Sequence, residues 1–492
     1  MKDKKYKGRV LLVYPNPEGY GGIPNGLALL SGTLRDAGFD TKCFDTTFLN
    51  SAPKTHFYRQ KHGGMMKVDH TQFWGEWTPD LAGKIPELFS MTIEEFQPDL
   101  IAITLVDVCY HFSMDLLTKI KAQVDIPIVA GGVTVTMSPE LIISNDCIDA
   151  ICLGEGEDPL VELANCIVEG KDYSRIANLW VKKDGKLIKN PLRALKDMNQ
   201  LSDQDWSIFD LRHYYKPYCG TFRRTGFFEL ARGCPFNCSF CITASLRRIY
   251  GKLGKFLRTR SVDKTLDEVV AVKDKYDLEL IFFIDDNFLG MPEDRFDYFC
   301  QEYKKRVDLP FYIQTRSETV REDYVKKLKD INISTIAIGV EHGHEELRRI
   351  YLNRKMDNAN LERAFNIVHK YGIRSTANII IGMPYEEEGM FAETLKLLRK
   401  IQPKSVSINY FQPYRGTLMR DWAVELGYID KDHIIDESNT CLDMPEFRKE
   451  RIIHYYENFS KYLDGELEVA DQGYTQASLT PDAVRGEGVE TC

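Results

Sequence analysis

The sequence predicts an α/β protein made of an open parallel sheet, then a partial (β/α)6 barrel, and finally a small, mostly helical C-terminal region. Two observations support this prediction. Apolar runs alternate with amphipathic helical patterns from residue 9 to residue 153, and six strand–helix repeats follow between residues 227 and 410. Such alternation is typical of parallel sheets covered by helices. At 492 residues the chain is also too long for one ordinary domain.

Composition is typical of a soluble globular chain, and the net charge limits the classes of partner that the chain can bind. Hydrophobic residues make up 43% and charged residues 28% of the sequence, which is ordinary. The net charge of -9 argues against a nucleic-acid partner, because a phosphate backbone requires clustered Lys and Arg. No apolar run approaches the ~20 residues that span a bilayer, and Pro15 ends the first run too early for a signal peptide. The 12 cysteines are scattered apart from one cluster, which predicts a reducing, cytoplasmic setting.

Five apolar runs predict the strands of the first sheet. They lie at residues 9–14, 41–45, 99–104, 126–130 and 150–153. Helices are predicted from Asn25 to Leu34 and over residues 111–122. Residues 50–95 are less regular, and we interpret them as an insertion.

The carboxyl ends of these strands carry small residues. Thr104 ends the third strand, Gly131 and Gly132 end the fourth, and Gly154 follows the fifth. Ligands of open parallel sheets bind beyond the carboxyl ends of the strands. Glycine at those ends lets a large flat ligand approach the backbone closely, so we expect the ligand there.

Six further runs predict the strands of the barrel, at residues 227–230, 280–284, 311–314, 335–339, 376–381 and 405–410. Polar residues at the carboxyl ends of barrel strands indicate a functional face, although any single one could instead cap its strand. These residues are Asp285, Asp286, Asn287, Gln314, Arg316, Glu341, Gly343, Gly382, Asn409 and Gln412.

The segment from Ala231 to Cys241 carries the most specific chemistry. Cys234, Cys238 and Cys241 lie within eight residues, so a short loop can direct three sulfurs at one centre. Thiolates suit iron–sulfur clusters, and three ligands leave one iron open to a substrate or cofactor. The alternatives are a zinc site and a chance clustering of buried thiols. A zinc site requires a fourth nearby ligand, and the next Cys and His are Cys300 and His342.

The spacing Cys234-x-x-x-Cys238-x-Phe240-Cys241 resembles the signature of the radical S-adenosylmethionine (radical SAM) enzymes. The resemblance implies a [4Fe–4S] cluster held by the three thiolates, with SAM on the fourth iron as the source of a 5′-deoxyadenosyl radical. It further implies an external electron donor such as flavodoxin or ferredoxin. By the same resemblance, Phe240 and Gly382 lie near the adenine, and Glu341 and Asp286 reach the ribose or methionine end. Gln314 and Arg316 complete the predicted SAM-binding set.

The first half of the chain is similar to the Rossmann-like cobalamin-binding domain that precedes the radical domain in one subgroup of these enzymes. The matching residues, which the resemblance implies are cobalamin contacts, are Gly26, Leu27, Thr104, Gly131, Gly132 and Gly154. The Asp-x-His-x-x-Gly motif of better-known cobalamin proteins is missing, and Thr134 stands where relatives often carry His. We therefore expect no histidine ligand on cobalt. A vestigial domain that binds nothing is the alternative.

These features predict three regions: a cobalamin-binding domain with its linker over residues 1–200, a radical SAM barrel over 201–430, and a helical region over 431–492. Residues 451–463 have helical spacing and are predicted to pack against the open side of the barrel. The acidic, Gly-rich tail from Asp464 is predicted to be disordered. Cys441 is a candidate catalytic thiol that donates a hydrogen atom, with a small buried side chain as the alternative.

The leading functional hypothesis is a cobalamin-dependent radical SAM enzyme that C-methylates a small-molecule or natural-product-type substrate. A dehydratase, cyclase or rearranging enzyme, with an auxiliary or vestigial first domain, is the second hypothesis. A methylthiotransferase is disfavoured because the loop after the first strand has no Cys and the chain end has no basic RNA-binding module. A non-catalytic cobalamin sensor would not need the cysteine cluster.

Overall fold

The computed structural model describes residues 6–16, 22–49, 81–435 and 439–469. The chain forms two compact units. We call Met1–His56, Val68–Phe227 and Ile249–Arg260 the N-terminal unit, and Phe57–Lys67, Phe228–Arg248 and Ser261–Cys492 the C-terminal unit. The predicted domain limits at residues 200 and 430 stay a prediction.

The N-terminal unit is built on a sheet with the strand order β2-β1-β3-β4-β5-β6-β7 in its described part. Neighbours from β2 to β5 pair in parallel, whereas β6 and β7 are antiparallel. The strands are β1 (Arg9–Tyr14), β2 (Asp40–Asp45), β3 (Leu100–Thr104), β4 (Ile128–Gly131), β5 (Ala150–Cys152), β6 (Leu179–Lys183) and β7 (Lys186–Lys189). The central strands are continuous apolar runs because both of their faces are buried: Val10 to Val13 of β1 are at most 1% exposed.

Helices cover this sheet. Those of the described residues are Asn25–Asp36, Ile85–Phe96, Tyr110–Lys121, Val133–Met137, Pro139–Ile143 and Glu157–Val168. One of them lies in the stretch that the sequence suggested was an irregular insertion. Ile85, Phe89 and Ile93 are buried at a spacing of four residues, which is the spacing of one helix face. The remainder of that predicted insertion, residues 50–80, lies outside the described residues.

A hairpin ends the long middle segment of the N-terminal unit. It joins β8 (Tyr215–Tyr218) and β9 (Thr221–Phe228) in antiparallel pairing. Cys219 and Gly220 between them both have positive φ, at 50° and 81°, as a tight hairpin turn demands. Two short strands follow in the chain, β10 (Ala231–Arg232) and β11 (Arg258–Thr259).

The C-terminal unit contains the predicted partial barrel. Its strands lie in the order β16-β15-β14-β13-β12, and each neighbouring pair is parallel. They are β12 (Leu280–Phe283), β13 (Phe311–Thr315), β14 (Ile333–Glu341), β15 (Arg374–Ile381) and β16 (Ser405–Tyr410). Beyond β12, the Ile284 N–H donates to the Phe228 carbonyl (2.9 Å), so the end of β9 continues the sheet. The carboxyl ends of all these strands therefore share one edge.

Helices alternate with these strands, and further helices follow the last strand, β16. Within the described residues they are Ile242–Tyr250, Val262–Tyr276, Glu293–Arg306, Glu322–Lys329, Glu345–Ile350, Asn358–Lys370, Met390–Ile401, Leu418–Glu425, Lys449–Glu457 and Phe459–Asp464. The helix predicted over 451–463 is thus divided at Asn458. Tyr456 stacks on Tyr410 with ring centroids 4.1 Å apart, so the first of the two last helices packs on the edge strand β16. Residues 470–492 of the predicted disordered tail lie outside the described residues.

No helix among the described residues combines the length and apolar character that crossing a bilayer requires.

Candidate cluster and cofactor sites

The three predicted cluster cysteines lie on one loop between β10 and the helix Ile242–Tyr250. Cys238 is 8% exposed, whereas Cys234 and Cys241 are half-buried. The Cys241 N–H donates to the Cys238 carbonyl (3.1 Å), which tightens the second half of the loop. The Leu230 N–H before the loop donates to Asp285 (3.1 Å), so the loop begins at the carboxyl edge of the sheet.

Arg316 anchors the buried cysteine of this loop. Its Nη1 donates to the Cys238 Sγ (3.0 Å), and its guanidinium lies 3.8 Å from the centroid of the Phe236 ring. The same guanidinium donates to Glu318 (2.5 Å) and is only 6% exposed. Arg316 therefore fixes the position of the Cys238 sulfur within the loop. Arg316 was predicted from the sequence as a SAM contact, and the structure shows in addition that it holds the cysteine loop.

The donor set fits an iron–sulfur cluster by its chemistry. Burial raises the pKa of Cys234 to about 11, and the charges of Asp286 and the other two cysteines act in the same direction. Burial and Cys238 also raise the pKa of Cys241. Within the described residues, no three Cys, His, Asp or Glu side chains already converge closely enough to hold a metal ion. Cationic iron would offset the charge that burial disfavours on three thiolates, which are the ligands such clusters take.

Glu341 lies at a distorted strand end. Its φ is 64°, in the left-handed region, and the pairing of β14 with β15 shifts register between Gly339 and Glu341. Its carboxylate accepts from Arg354 Nη1 (2.9 Å), and Arg354 also donates to the Gly339 carbonyl (2.7 Å). Burial raises the pKa of Glu341, whereas the charges of Arg354 and Arg316 lower it. The bulge and the unusual φ orient a buried, arginine-paired carboxylate at the predicted SAM edge.

The Gly382 turn is held by a buried network that the sequence analysis missed. Gly382 has a φ of 84°, and its N–H and that of Met383 donate to Glu386 Oε2 (2.7 and 3.0 Å). The other oxygen of Glu386 lies 3.1 Å from Nε2 of His342, and both side chains are 0% exposed. His342 Nδ1 accepts from the His344 N–H (3.0 Å), so Nε2 carries the proton and donates to Glu386. The sequence signal for this network was Glu386, which comes four residues after Gly382 at the end of a predicted strand.

The other predicted SAM contacts, Phe240, Asp286 and Gln314, belong to the same unit, as does the strand-end residue Asn287. Asp286 lies 3.5 Å from the Thr243 hydroxyl, just after the cysteine loop. Asn287 Oδ1 accepts from Thr315 (2.9 Å), which ties the ends of β12 and β13 together. Phe240 and Gln314 are half-buried. The structure thus places the predicted set on one edge of one unit, and the SAM contacts themselves stay a prediction.

Cys441 follows Thr440, whose hydroxyl lies 3.5 Å from the position that a Cβ on Gly382 would take. The candidate thiol therefore belongs to the surroundings of the Gly382 turn. Burial raises the pKa of Cys441 to about 11, so at neutral pH it carries the S–H that hydrogen-atom donation requires. Its role as a hydrogen donor stays a prediction.

The predicted cobalamin contacts of the N-terminal unit divide into two kinds. Gly26 and Gly131 have open space: a Cβ would meet nothing within 4 Å at Gly26 and nothing closer than 4.0 Å at Gly131. The backbone conformation at Gly132 requires glycine, because its φ is 112° and a Cβ there would lie 2.5 Å from the Leu105 carbonyl oxygen. Thr104 ends β3 beside it, and Gly154 lies against the hydroxyl of Tyr250. Open backbone at a carboxyl sheet edge fits a large flat ligand.

Two residues near this face have side chains that pack or bond within the unit, and the predicted contact of Leu27 with cobalamin stays a prediction. Leu27 is 3% exposed, so its side chain packs in the core of the unit. The Thr134 hydroxyl donates to Asp107 Oδ1 (2.5 Å), so the position where a histidine was considered holds an internal hydrogen bond instead. Sequence reasoning missed Asp107, which is 7% exposed.

A buried carboxylate, Asp285, accepts the hydrogen bond of the Leu230 N–H just before the cysteine loop. Asp285 is 3% exposed, and burial raises its pKa to about 7. The folded chain therefore keeps a proton that the unfolded chain loses near pH 4, and the resulting stability is lost as the pH rises through about 7. We expect the free energy of unfolding of Asp285→Asn, relative to wild type, to be about 3 kcal/mol higher at pH 8 than at pH 5. Urea denaturation of both proteins at the two pH values measures this difference. The exposed Asp330→Asn is the control, and an equal effect of Asp285→Asn at both pH values would contradict the prediction.

Two family descriptions match the sequence. The radical SAM superfamily matches residues 228–398, and the B12 binding domain matches residues 66–164. The first match covers the cysteine loop and the barrel strands β12 to β15, and the second covers strands β3 to β5 of the first sheet.

Relatives and solved structures agree with the matches. The chain is 26% identical to an uncharacterized methyltransferase from Pyrococcus horikoshii over 339 residues, 68% of this chain and 71% of that protein. It is 26% identical to the anaerobic magnesium-protoporphyrin IX monomethyl ester cyclase of Rubrivivax gelatinosus over 354 residues, 70% of this chain but only 61% of the cyclase. The radical SAM methyltransferase TsrM from Kitasatospora setae, solved with cobalamin and a [4Fe–4S] cluster, is 18% identical with a TM-score of 0.63, over 85% of this chain and 75% of TsrM. That likeness confirms the predicted fold class.

Proposed function

The chain belongs to the radical SAM superfamily and carries a B12-binding domain, and from that premise we propose that it methylates an unreactive carbon of a small molecule. The superfamily implies a [4Fe–4S] cluster and SAM, and the B12-binding domain implies cobalamin. When bound, these cofactors supply a hydrogen-abstracting radical and a methyl carrier.

The succession of the two matches in one chain is the observation that carries the proposal. A radical domain alone serves many reactions, whereas a cobalamin domain ahead of it most simply supplies a methyl group. Two of the similar proteins described above are named methyltransferases, and one of them was solved with cobalamin.

The side chains of the C-terminal unit have separate tasks in this proposal. Arg316 orients the cysteine loop through its hydrogen bond to the Cys238 sulfur. Glu386 fixes the Gly382 turn, whose backbone would face the adenine. Glu341 would bind a polar end of SAM while Arg354 holds its carboxylate in place. In the non-methylating alternative, the neutral thiol of Cys441 would return a hydrogen atom to the substrate radical, whereas in methylation the methyl group takes that place.

The reaction also requires an external electron. We propose that a low-potential carrier protein, such as flavodoxin or ferredoxin, delivers it to the cysteine-bound centre. The substrate is proposed to be a small molecule, which fits TsrM, a relative solved with tryptophan.

A radical cyclase is the second candidate, because the chain is 26% identical to a magnesium-protoporphyrin IX monomethyl ester cyclase over 70% of its length. The same residues would hold the same cofactors, and only the fate of the substrate radical would differ.

Product analysis separates the two candidates. A methyltransferase of this type uses SAM both as methyl source and as radical source, so turnover should release S-adenosylhomocysteine together with 5′-deoxyadenosine. The enzyme should be reconstituted anaerobically with iron, sulfide, hydroxocobalamin, SAM and reductant, and the products quantified by mass spectrometry. Omission of cobalamin is the control and should abolish S-adenosylhomocysteine. With substrate present, 5′-deoxyadenosine alone and no need for cobalamin would favour the cyclase.

A further inference from the structure

The cysteine loop lies in an unusually basic part of an acidic chain. The net charge is -9, yet no Asp or Glu occurs between Glu229 and Asp263. Within the C-terminal unit, this segment contributes Arg232, Arg247 and Arg248. The local charge is therefore opposite in sign to that of the whole chain.

The outer side of the loop reaches the solvent. Pro235 and Asn237 are exposed. Cys238, which follows them in the chain before the helix Ile242–Tyr250, is buried. Arg247 donates to the Pro235 carbonyl and to Asn237 Oδ1, so its charge is fixed on the loop. Electron transfer falls steeply with distance, and this exposed edge is a short route from solvent to the three sulfurs.

Further cations surround this edge. Asn353 is exposed and donates to the Asn237 carbonyl (2.8 Å), and the exposed Lys355 is two residues further along. Arg248 is exposed and donates to the Gly416 carbonyl (2.8 Å), close to Tyr414, which is 38% exposed. We call Arg247, Arg248 and Lys355 the basic rim. Burial raises the pKa of Asp421 and the Arg248 charge opposes that rise, so Asp421 is one acidic group that offsets part of this rim.

We propose that the basic rim is the docking surface for an acidic one-electron carrier protein. The proposal rests on the proposed function, which requires an external electron. One electron passes from the reduced carrier to the centre held by Cys234, Cys238 and Cys241, so the carrier is oxidised by one electron as that centre is reduced. No atom or proton crosses the interface.

Charge complementarity selects this occupant. A few cations around an exposed edge suit a weak, transient contact, and electron-transfer interfaces bury less than about 1,200 Å². Complementary charges mainly raise the rate of encounter and fix the orientation. A nucleic acid would require a longer basic stripe.

Reversal of one charge on the rim and removal of another test the proposal. Lys355→Glu is the first variant, and Arg248→Gln, which keeps a side-chain donor for Gly416, is the second. Arg247 is left intact because it holds the cysteine loop. The matched control is Lys329→Glu, an exposed lysine that ends the helix Glu322–Lys329 before the amino end of β14, at the opposite edge of the sheet.

Reduced acidic flavodoxin is the probe, mixed with cluster-loaded enzyme in a stopped-flow instrument, and its Kd is measured by titration. At low salt, Lys355→Glu should lower the association rate constant on the order of tenfold and weaken binding, whereas Lys329→Glu should change neither beyond about twofold. Arg248→Gln should show a smaller loss. The differences should shrink as salt screens the charges. Cleavage of SAM driven by dithionite should be the same in all four proteins.

Equal effects of Lys355→Glu and Lys329→Glu at low salt would overturn the docking surface, as would flavodoxin binding that salt does not weaken. Failure of the proposed function has a different signature. In that case wild-type enzyme would not cleave SAM with dithionite, whatever its affinity for flavodoxin. A variant that loses dithionite-driven cleavage as well would count against the surface, because its defect would then lie in the cluster and not in docking.

Discussion

Replacing Cys234, Cys238 or Cys241 by Ala should remove most of the bound iron and all formation of 5′-deoxyadenosine. The loop offers three thiolates, each of which would hold one iron of the cluster. With only two of them left, a second iron would have no protein ligand. The loss should be largest for Cys238, which is buried and fixed by Arg316, because the guanidinium would then face a cavity. Iron and sulfide analysis, absorption spectra and product quantification after anaerobic reconstitution provide the measurement.

Cys300→Ala is the matched control for this series. Cys300 is also 8% exposed and belongs to the same unit, but it lies on the helix Glu293–Arg306 on the outside of the sheet. Its replacement should cost some stability by leaving a small cavity, while iron content and SAM cleavage stay normal. A full cluster and normal activity in any one of the three loop variants would show that its cysteine is not a ligand.

The sequence was sufficient for the fold class because the decisive signals are local. Apolar runs such as residues 10–13 are continuous where both faces of a strand are buried, and they alternate with helices in both units. The helix Ile85–Phe96 was missed although Ile85, Phe89 and Ile93 have the right spacing, since the irregular residues before it hid its start.

The partners of the site residues were beyond the sequence. Glu341 could be identified from its place at a strand end, but Arg354, which binds it, comes 13 residues later and is brought there by the fold. Glu386 and His342 are 44 residues apart and meet only because β14 and β15 are neighbours. The sequence also could not show which positions face open space. Gly26 has open space around it, whereas the adjacent Leu27 is in the core.

Glu341→Gln should weaken SAM binding by roughly 10- to 150-fold, because a buried, charge-assisted hydrogen bond contributes about 1.5–3 kcal/mol. The amide is nearly the same size and can still accept from Arg354, which also keeps its bond to the Gly339 carbonyl. The bulge and the left-handed backbone at this position should therefore survive. Equilibrium titration of cluster-loaded protein with SAM gives the affinity, and thermal unfolding reports whether the fold is intact.

Glu362→Gln is the control for the loss of one carboxylate charge. Glu362 pairs with Lys400 (2.6 Å) between two helices of the same unit, away from the predicted SAM edge. It should leave SAM affinity unchanged. Binding of cobalamin should be normal in both variants, because the predicted cobalamin contacts belong to the N-terminal unit. If Glu341→Gln kept wild-type SAM affinity while remaining folded, the Glu341–Arg354 pair would be a device that shapes the end of β14, and the polar end of SAM would have to be bound by Asp286 or Gln314 instead.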